Sequence, residues 1–272
     1  MCFGNSFAQI TLPASSPTAT FSQKIGLTDV SITYSRPSKN ERKIFGSLVP
    51  YGKLWRTGAN MATQITFSDE VKVAGQPLAA GTYALFTIPG EKEWTVIFNK
   101  NYNQGGTGNY SEAEDALRVQ VESYKMPEVT VQTFLINIED VKPNAAMLEL
   151  LWDDTVVPVP IEVSIDERIM TSIEKSLKVS PDAYQQAAIY YHQSGKDLNQ
   201  ALEWMNKAIA QYEADNRNVF WVYRQKSLLL ADMKKYDEAI ATAKTSLAKA
   251  REAGNDDYVK MNSDAIAEWG KK

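Results

Sequence analysis

The chain has 272 residues, of which 44% are hydrophobic, with 29 basic and 33 acidic side chains. This composition suits one large or two ordinary folded domains and excludes disorder as the main state. A single Cys and a single His argue against disulfide frameworks, thiolate- or imidazole-rich metal sites and catalytic triads. The net charge of −4 argues against a nucleic-acid partner, and no apolar run reaches the ~18 residues of a transmembrane segment. We therefore predict no metal, no cofactor and no membrane span.

The N-terminus resembles the end of a signal peptide. Ser6 and Ala8 are small residues at the −3 and −1 positions of a cleavage site before Gln9. The apolar and basic regions that normally precede such a site are missing, so we interpret residues 1–8 as a signal-peptide remnant. We therefore expect an exported protein, periplasmic or extracellular. The alternatives are a lipoprotein anchored through Cys2 and an accidental apolar start on a cytosolic chain.

Glycine and proline divide the chain into two halves. Residues 1–165 hold 11 of the 14 Gly and 10 of the 11 Pro. Such a split predicts a turn-rich domain followed by a helical one. We expect a linker over residues 9–20, an all-β antiparallel sandwich, jelly-roll-like, over 21–165, and an all-α domain over 166–272.

The β-domain is predicted from short runs in which apolar and polar residues alternate. The Pro89-Gly90 turn joins two such runs in the clearest hairpin, residues 82–99. Pro158 and Pro160 cannot donate to a ladder, so we expect the last strand to be an edge or locally broken. The predicted strands are Val30–Tyr34, Ile65–Phe67, Val71–Val73, Thr82–Ile88, Trp94–Asn99, Leu117–Val121, Val129–Ile138, Met147–Trp152 and Val156–Val163.

The second half resembles tetratricopeptide repeats. Two segments, Tyr190–Ile209 and Lys235–Leu247, carry the pattern, and their matched alanines, Ala201 and Ala239, are 38 residues apart. The usual repeat is about 34 residues, and a polar connector can hold the excess. A last helix over Asp256–Trp269 would cap the stack. Such repeats usually hold a peptide or protein partner in a groove, and the alternative is a purely structural role.

The segment spanning residues 36–56, called the basic segment below, has a local charge of +5. Aromatic residues Phe45, Tyr51 and Trp55 are interleaved with its cations. Guanidinium groups donate paired hydrogen bonds to carboxylate or phosphate, and aromatic faces stack on the rings of a ligand. Both features suit an anionic or carbohydrate-like ligand. The alternative is that the aromatic residues fill the core and the charges form a solvated rim. The candidate ligand-binding residues are Arg36, Arg42, Lys43, Tyr51, Trp55, Arg56 and Asn60.

No residue is predicted to be catalytic. The acidic pairs Glu139-Asp140 and Asp153-Asp154 consist of neighbours that point to opposite faces of a strand, so neither forms a two-carboxylate site by itself. The favoured function is therefore an exported, non-catalytic binding or scaffolding protein of the cell envelope. The alternatives are a carbohydrate-acting hydrolase, with carboxylates brought together by folding, and a purely structural envelope module.

Long motifs around the basic segment make a family resemblance visible. Arg42-Lys43-Ile44-Phe45-Gly46, Leu48-Val49-Pro50-Tyr51-Gly52 and Trp55-Arg56-Thr57-Gly58-Ala59-Asn60 are followed by the hairpin Ala80–Ile97. Over residues 21–165 this pattern resembles the bacterial domain-of-unknown-function family 2911. The resemblance implies an exported bacterial protein, often from the Bacteroidetes, sometimes with tetratricopeptide repeats after the domain. It implies no established activity.

Overall fold

The computed structural model describes residues 12–176 and 180–272. It divides into two compact units, one ending at Ile165 and the other beginning at Asp166. The predicted signal-peptide remnant, residues 1–8, lies outside the described residues.

The first unit is built from antiparallel strands, with a 3-10 turn at Glu112–Glu114. Most strands are joined to the next by a short turn, as the spacing of glycine and proline predicts. The strands within the described residues are β1 (Thr18–Ile25), β2 (Thr28–Ser35), β3 (Thr63–Phe67), β4 (Val71–Val73), β5 (Gln76–Leu78), β6 (Gly81–Ile88), β7 (Glu93–Asn99), β8 (Asp115–Glu122), β9 (Tyr124–Lys125), β10 (Val131–Glu139), β11 (Ala145–Asp153) and β12 (Thr155–Val163).

These strands form two sheets that enclose one core. The first sheet has the order β1-β2-β3-β6-β7-β8, and the second has β10-β11-β12-β4-β5, with β9 pairing β12. Alternate side chains of both sheets are buried, and each large apolar side chain so buried contributes about 1.5–3 kcal/mol. The predicted antiparallel sandwich is confirmed. Core residues include Val30, Ile32, Val96, Phe98, Leu148, Leu150, Val157 and Val159.

The last strand, β12, was predicted from its prolines to be an edge or locally broken. It is not an edge, but on one side its pairing is interrupted over residues 157–160. It pairs with β11 along its whole length and, on its other side, with β9 at Thr155–Val156 and β4 at Ile161–Val163. The carbonyl of Pro160 accepts from Ala74 N–H on the β4 side. The backbone nitrogens of both prolines, which carry no hydrogen, therefore face the gap between β9 and β4. No ladder hydrogen bond is lost there.

Two strands differ from the sequence expectation. β1 begins at Thr18, inside the predicted linker, and runs to Ile25. Its apolar residues Ala19, Phe21 and Ile25 alternate with polar ones, but Gln23 interrupts the pattern. β5, Gln76–Leu78, is not among the predicted strands, and it contains a proline, Pro77.

The basic segment crosses one end of the sandwich and fills the core with its aromatic residues. Phe45 and Trp55 are 6% and 8% exposed, and both belong to the main core cluster. Trp55 stacks on Trp152 with ring centroids 5.9 Å apart and an interplanar angle of 18°. Phe45 lies edge-on to Trp94 at 4.9 Å. The connection between β2 and β3 is therefore part of the core.

The second unit is helical, as predicted. Helix α2 begins after Ser180, whose hydroxyl accepts from Ala183 N–H at 3.3 Å, with Pro181 in the first turn. None of the helices in the described residues combines the length and apolarity needed to cross a bilayer. The helices are α1 (Asp166–Ser176), α2 (Pro181–Gln193), α3 (Leu198–Ala214), α4 (Phe220–Asp232), α5 (Tyr236–Glu252) and α6 (Asp256–Trp269).

Polar contacts between helices show the relative directions of neighbouring helices. Tyr212, near the end of α3, donates to Asp182 at the start of α2, so these helices are antiparallel. Ser246 of α5 donates to the Phe220 carbonyl at the start of α4 at 2.7 Å, which gives the same arrangement for the next pair. His192 and Asp232, at the ends of α2 and α4, lie 2.6 Å apart. The first helices of the two pairs are therefore side by side.

Candidate functional site

The basic segment borders a cleft of about 410 Å³ in the first unit. Three of the candidate residues, Arg42, Trp55 and Arg56, line it together. The polar part of the remaining walls comes from Ser15, Ser16, Ser38 and Asn40. The apolar part comes from Pro37, Leu48, Val49, Ala59 and Trp152, with Gly58 completing the lining. The described residues lining the cleft include no Asp or Glu, so its charge is positive.

The turn after Trp55 has an unusual backbone that determines the direction of Arg56. Thr57 and Asn60 have φ values of 53° and 57°, and Gly58 has a φ of 148°. The Thr57 hydroxyl lies 3.1 Å from that of Thr87. Trp55 exchanges two backbone hydrogen bonds with Thr87, at 2.7 and 2.9 Å. The turn is thus held to β6 on both sides of Arg56.

Arg56 has an unpaired guanidinium. Its side chain is half-buried, and its Nε is buried without a hydrogen-bond partner. The guanidinium forms no hydrogen bond or ion pair with any residue that the structure describes. Leaving a buried donor unpaired costs about 1–3 kcal/mol. A ligand that accepts from Arg56 would recover this cost.

Arg42 supplies a second cation at the rim. Its Nε donates to the Lys39 carbonyl at 3.1 Å, and one terminal nitrogen donates to the Ser38 carbonyl. These two hydrogen bonds hold the side chain in place but use only two of the five N–H donors of the guanidinium. The exposed Arg42 therefore retains N–H groups for an anion.

Trp55 forms the floor of the cleft and does not present an open ring. Its indole Nε1 donates to the Gly58 carbonyl at 3.0 Å. With Trp55 8% exposed and Trp152 2% exposed, neither ring face is free to stack on a sugar. The predicted aromatic residues thus fill the core, while the cleft is cationic and lined by both polar and apolar residues.

The other candidate residues lie outside the lining of the cleft. Arg36 donates from Nε to the Phe134 carbonyl at 3.0 Å, and Tyr51 packs against the core. Asn60 donates to the Ser16 carbonyl and the Ser35 hydroxyl, both at 3.3 Å, and so holds the N-terminal segment. Lys43 is exposed and outside the lining.

Sequence reasoning missed the serines and the paired lysine of this region. Ser15 and Ser16 line the cleft although they were assigned to a linker, and no local pattern distinguishes them from other linker residues. Lys39 counts toward the charge of the basic segment, yet it lies 2.6 Å from Asp153 in a half-buried ion pair. Only long-range folding reveals either fact.

A carboxylate pair does exist elsewhere in the first unit. Glu139 and Glu149 lie on neighbouring strands, β10 and β11, and the pKa of Glu149 is raised by burial and by the charge of Glu139. Neither residue lines the cleft. Among the described residues, no group of three or more His, Cys, Asp or Glu side chains is placed to hold a metal ion.

Comparison with known proteins identifies the first unit. A family model described as "Protein of unknown function (DUF2911)" matches residues 16–161, which is more than half of the chain. No curated protein and no solved structure matches the chain. The matched range contains the basic segment, all of the cleft lining except Ser15, strands β1 to β11 and the first seven residues of β12. The chain therefore belongs to the DUF2911 family.

Proposed function

We propose that the first unit binds a small anionic group, a carboxylate or phosphate of a cell-envelope ligand, in the cleft beside Arg56. The observation that carries the proposal is the unpaired, half-buried guanidinium of Arg56. A positive side chain kept partly out of water without a counter-ion is costly. A bound anion would supply that counter-ion.

The composition of the cleft supports an anion over a neutral sugar. Arg42 and Arg56 provide guanidinium donors, and serine hydroxyls can donate to further oxygens of a ligand. Hydrogen bonds to charged groups contribute about 1.5–3 kcal/mol each. Because the rings of Trp55 and Trp152 are covered, a neutral sugar would lack the stacking platform that such ligands usually need.

The proposal is tested by titrating the full chain in ¹H–¹⁵N nuclear magnetic resonance with sodium phosphate, galacturonate and galactose. We expect saturable shifts of the Arg56 Nε–H and Trp55 indole signals with at least one of the two anions and none with galactose. Arg56→Gln should weaken binding by about tenfold to a hundredfold, following the loss of one or two charged hydrogen bonds.

Lys43→Gln is the matched control, because it removes the same charge from an exposed position outside the cleft. It should leave the affinity unchanged at constant ionic strength. Equal weakening by both variants would mean that only the general positive field attracts the anion. Binding of galactose as strongly as galacturonate would also reject the proposed recognition.

For the second unit, we propose that α2–α5 form two tetratricopeptide-like repeats that bind a protein partner. The helices alternate in length, 13 and 17 residues and then 13 and 17 again. The matched Ala201 and Ala239 are both fully buried. Peptides selected by display on the full chain should lose affinity for Trp221→Ala, on α4, but not for Lys271→Ala beyond α6. Equal binding to both variants would contradict a site on α4.

We further propose that the protein acts outside the cytoplasm, on the basis of Ser6 and Ala8. N-terminal sequencing of the mature protein from the native cell should begin at Gln9. A mature chain that begins at Met1 and stays in the cytoplasmic fraction would contradict export.

A further inference from the structure

Strand β1 has an open edge. A two-residue turn joins Ile25 to Thr28, so odd-numbered residues of β1 bond to β2 and even-numbered residues face away. Pro17 follows the same alternation, because it is odd-numbered and its carbonyl accepts from Arg36 N–H at 2.9 Å. The outward N–H and C=O groups of Thr18, Thr20 and Ser22 have no partner among the described residues.

Strand β10, at one edge of the second sheet, is covered by other parts of the chain. The basic segment covers the first half of β10, where Phe134 N–H donates to the Pro37 carbonyl at 2.9 Å and Lys39 N–H donates to the Gln132 carbonyl at 2.6 Å. The Tyr34 hydroxyl bonds to both the N–H and the carbonyl of Ile136, at 3.0 and 3.3 Å.

The remaining edge strands, β5 and β8, are protected against pairing in different ways. β5 has three residues and contains Pro77. β8 has a register shift against β7 and carries the charged Arg118 and Glu122. Short strands, prolines, bulges and charges are the usual protections of a sheet edge. Strand β1, with eight residues, no proline and one lysine, has the least protection.

We propose that β1 pairs antiparallel with β1 of a second copy of this chain, joining the two first sheets across a twofold axis at Thr20. In this register Thr20 faces Thr20 of the other copy, and Thr18 faces Ser22. All three pairs are of the hydrogen-bonded type, so the free N–H groups of each copy meet the free carbonyls of the other.

The side chains of β1 are self-complementary in this register. On the outer face, hydroxyls lie opposite hydroxyls, which form favourable cross-strand pairs. On the inner face, Phe21 lies beside Ala19 of the second copy, and both are only half-buried against the core in one copy. The single charged residue, Lys24, lies opposite Ser16 and already pairs with Asp29 at 2.6 Å. No like charges oppose each other, so the strand fits its own copy.

Sedimentation equilibrium of the full chain over a concentration series tests the pairing. The wild type should dimerise. Ser22→Pro should lower the association constant at least tenfold, because it removes an outward N–H that the monomer does not use. Ser22→Ala is the matched control, since both variants lose the Ser22–Ser31 hydroxyl contact at 3.2 Å. It should associate like the wild type.

A cysteine variant tests the register. Cα atoms of a hydrogen-bonded pair lie about 5.5 Å apart, within disulfide range. In a Cys2→Ser background, Thr20→Cys should therefore form a covalent dimer on mild oxidation, whereas Lys24→Cys should not. A monomeric wild type, equal association of the Ser22→Pro and Ser22→Ala variants, or preferential cross-linking through position 24 would each overturn the proposal. Association is measured without added anion, so a failure of the pairing is distinguishable from a failure of anion binding in the cleft.

Discussion

Substituting Gly58 by alanine tests the link between the backbone of the Arg56 turn and the cleft. Gly58 has a φ of 148°, a conformation that side chains rarely adopt. A Cβ added there would lie 3.0 Å from the Ser35 carbonyl oxygen and 3.2 Å from the Thr63 hydroxyl. Both neighbours are buried and hydrogen-bonded parts of the sandwich, so neither can move freely.

Two costs add in Gly58→Ala. Backbone strain in such a region is about 1–3 kcal/mol, and overpacking costs about 1–3 kcal/mol. We expect the free energy of unfolding to fall by about 2–6 kcal/mol. Gly52→Ala is the matched control, because Gly52 has a φ of 69° but no heavy atom within 4 Å of the added Cβ. Its cost should be only the strain, about 1–2 kcal/mol.

Equilibrium urea unfolding followed by circular dichroism gives both values, provided that the slope against denaturant is unchanged. The Gly58 carbonyl accepts from the Trp55 indole, and Arg56 lies between them in sequence. Gly58→Ala should therefore also weaken anion binding under conditions where it is fully folded. If Gly58→Ala destabilises no more than Gly52→Ala, the close approach to Ser35 does not restrict this turn and the reasoning is wrong.

Three further predictions concern polar groups inside the two units. Tyr34→Phe leaves Ile136 N–H without its hydroxyl partner and should cost about 1–3 kcal/mol in urea unfolding, whereas Tyr51→Phe should change little. Ser246→Ala should destabilise the helical unit by about 1–3 kcal/mol, because the Ser246 hydroxyl accepts from the fully buried Asn262 at 2.9 Å. Unchanged thermal unfolding would contradict this. Burial and the hydrogen bond to Asp115 raise the pKa of Tyr110 to about 12. The stability contributed by its neutral hydroxyl is therefore complete below the unfolded pKa near 10 and is lost as pH rises toward 12. In this pH range the urea midpoint of wild type should fall more steeply than that of Tyr110→Phe, and parallel curves would contradict the assignment.

Alternation of apolar residues was enough to predict most of the sandwich. The segments around Val30 and Leu148 follow a period of two and form strands, because one side faces the core. In β6 the burial loses this period, because both faces are covered from Tyr83 to Thr87. The alternation in β1 was missed, because Gln23 interrupts the apolar face formed by Ala19, Phe21 and Ile25. For β12 the proline rule predicted the interrupted pairing but not the interior position of the strand, because that position depends on which side of the strand the missing donor faces. The sequence alone does not contain that information.

The basic segment was recognised as unusual, but the roles of its cations were not predictable. Arg36, Lys39 and Arg56 have similar sequence surroundings. In the structure Arg36 binds the Phe134 carbonyl, Lys39 pairs with Asp153, and Arg56 remains unpaired. These differences depend on β10 and β11, which lie about a hundred residues further along the chain. Local charge therefore locates the cleft without identifying which of its cations lies there unpaired.

The same segment performs two tasks, and its residues divide between them. Pro37 and Lys39 cover the edge of β10, while Phe45 and Trp55 fill the core. A segment needed only for these purposes would gain nothing from Arg56, whose guanidinium is partly desolvated without a partner. Stability alone would favour an apolar residue or a paired charge at this position. The unpaired arginine is thus a stability cost within a well-packed segment, which is the observation on which the proposed anion binding rests.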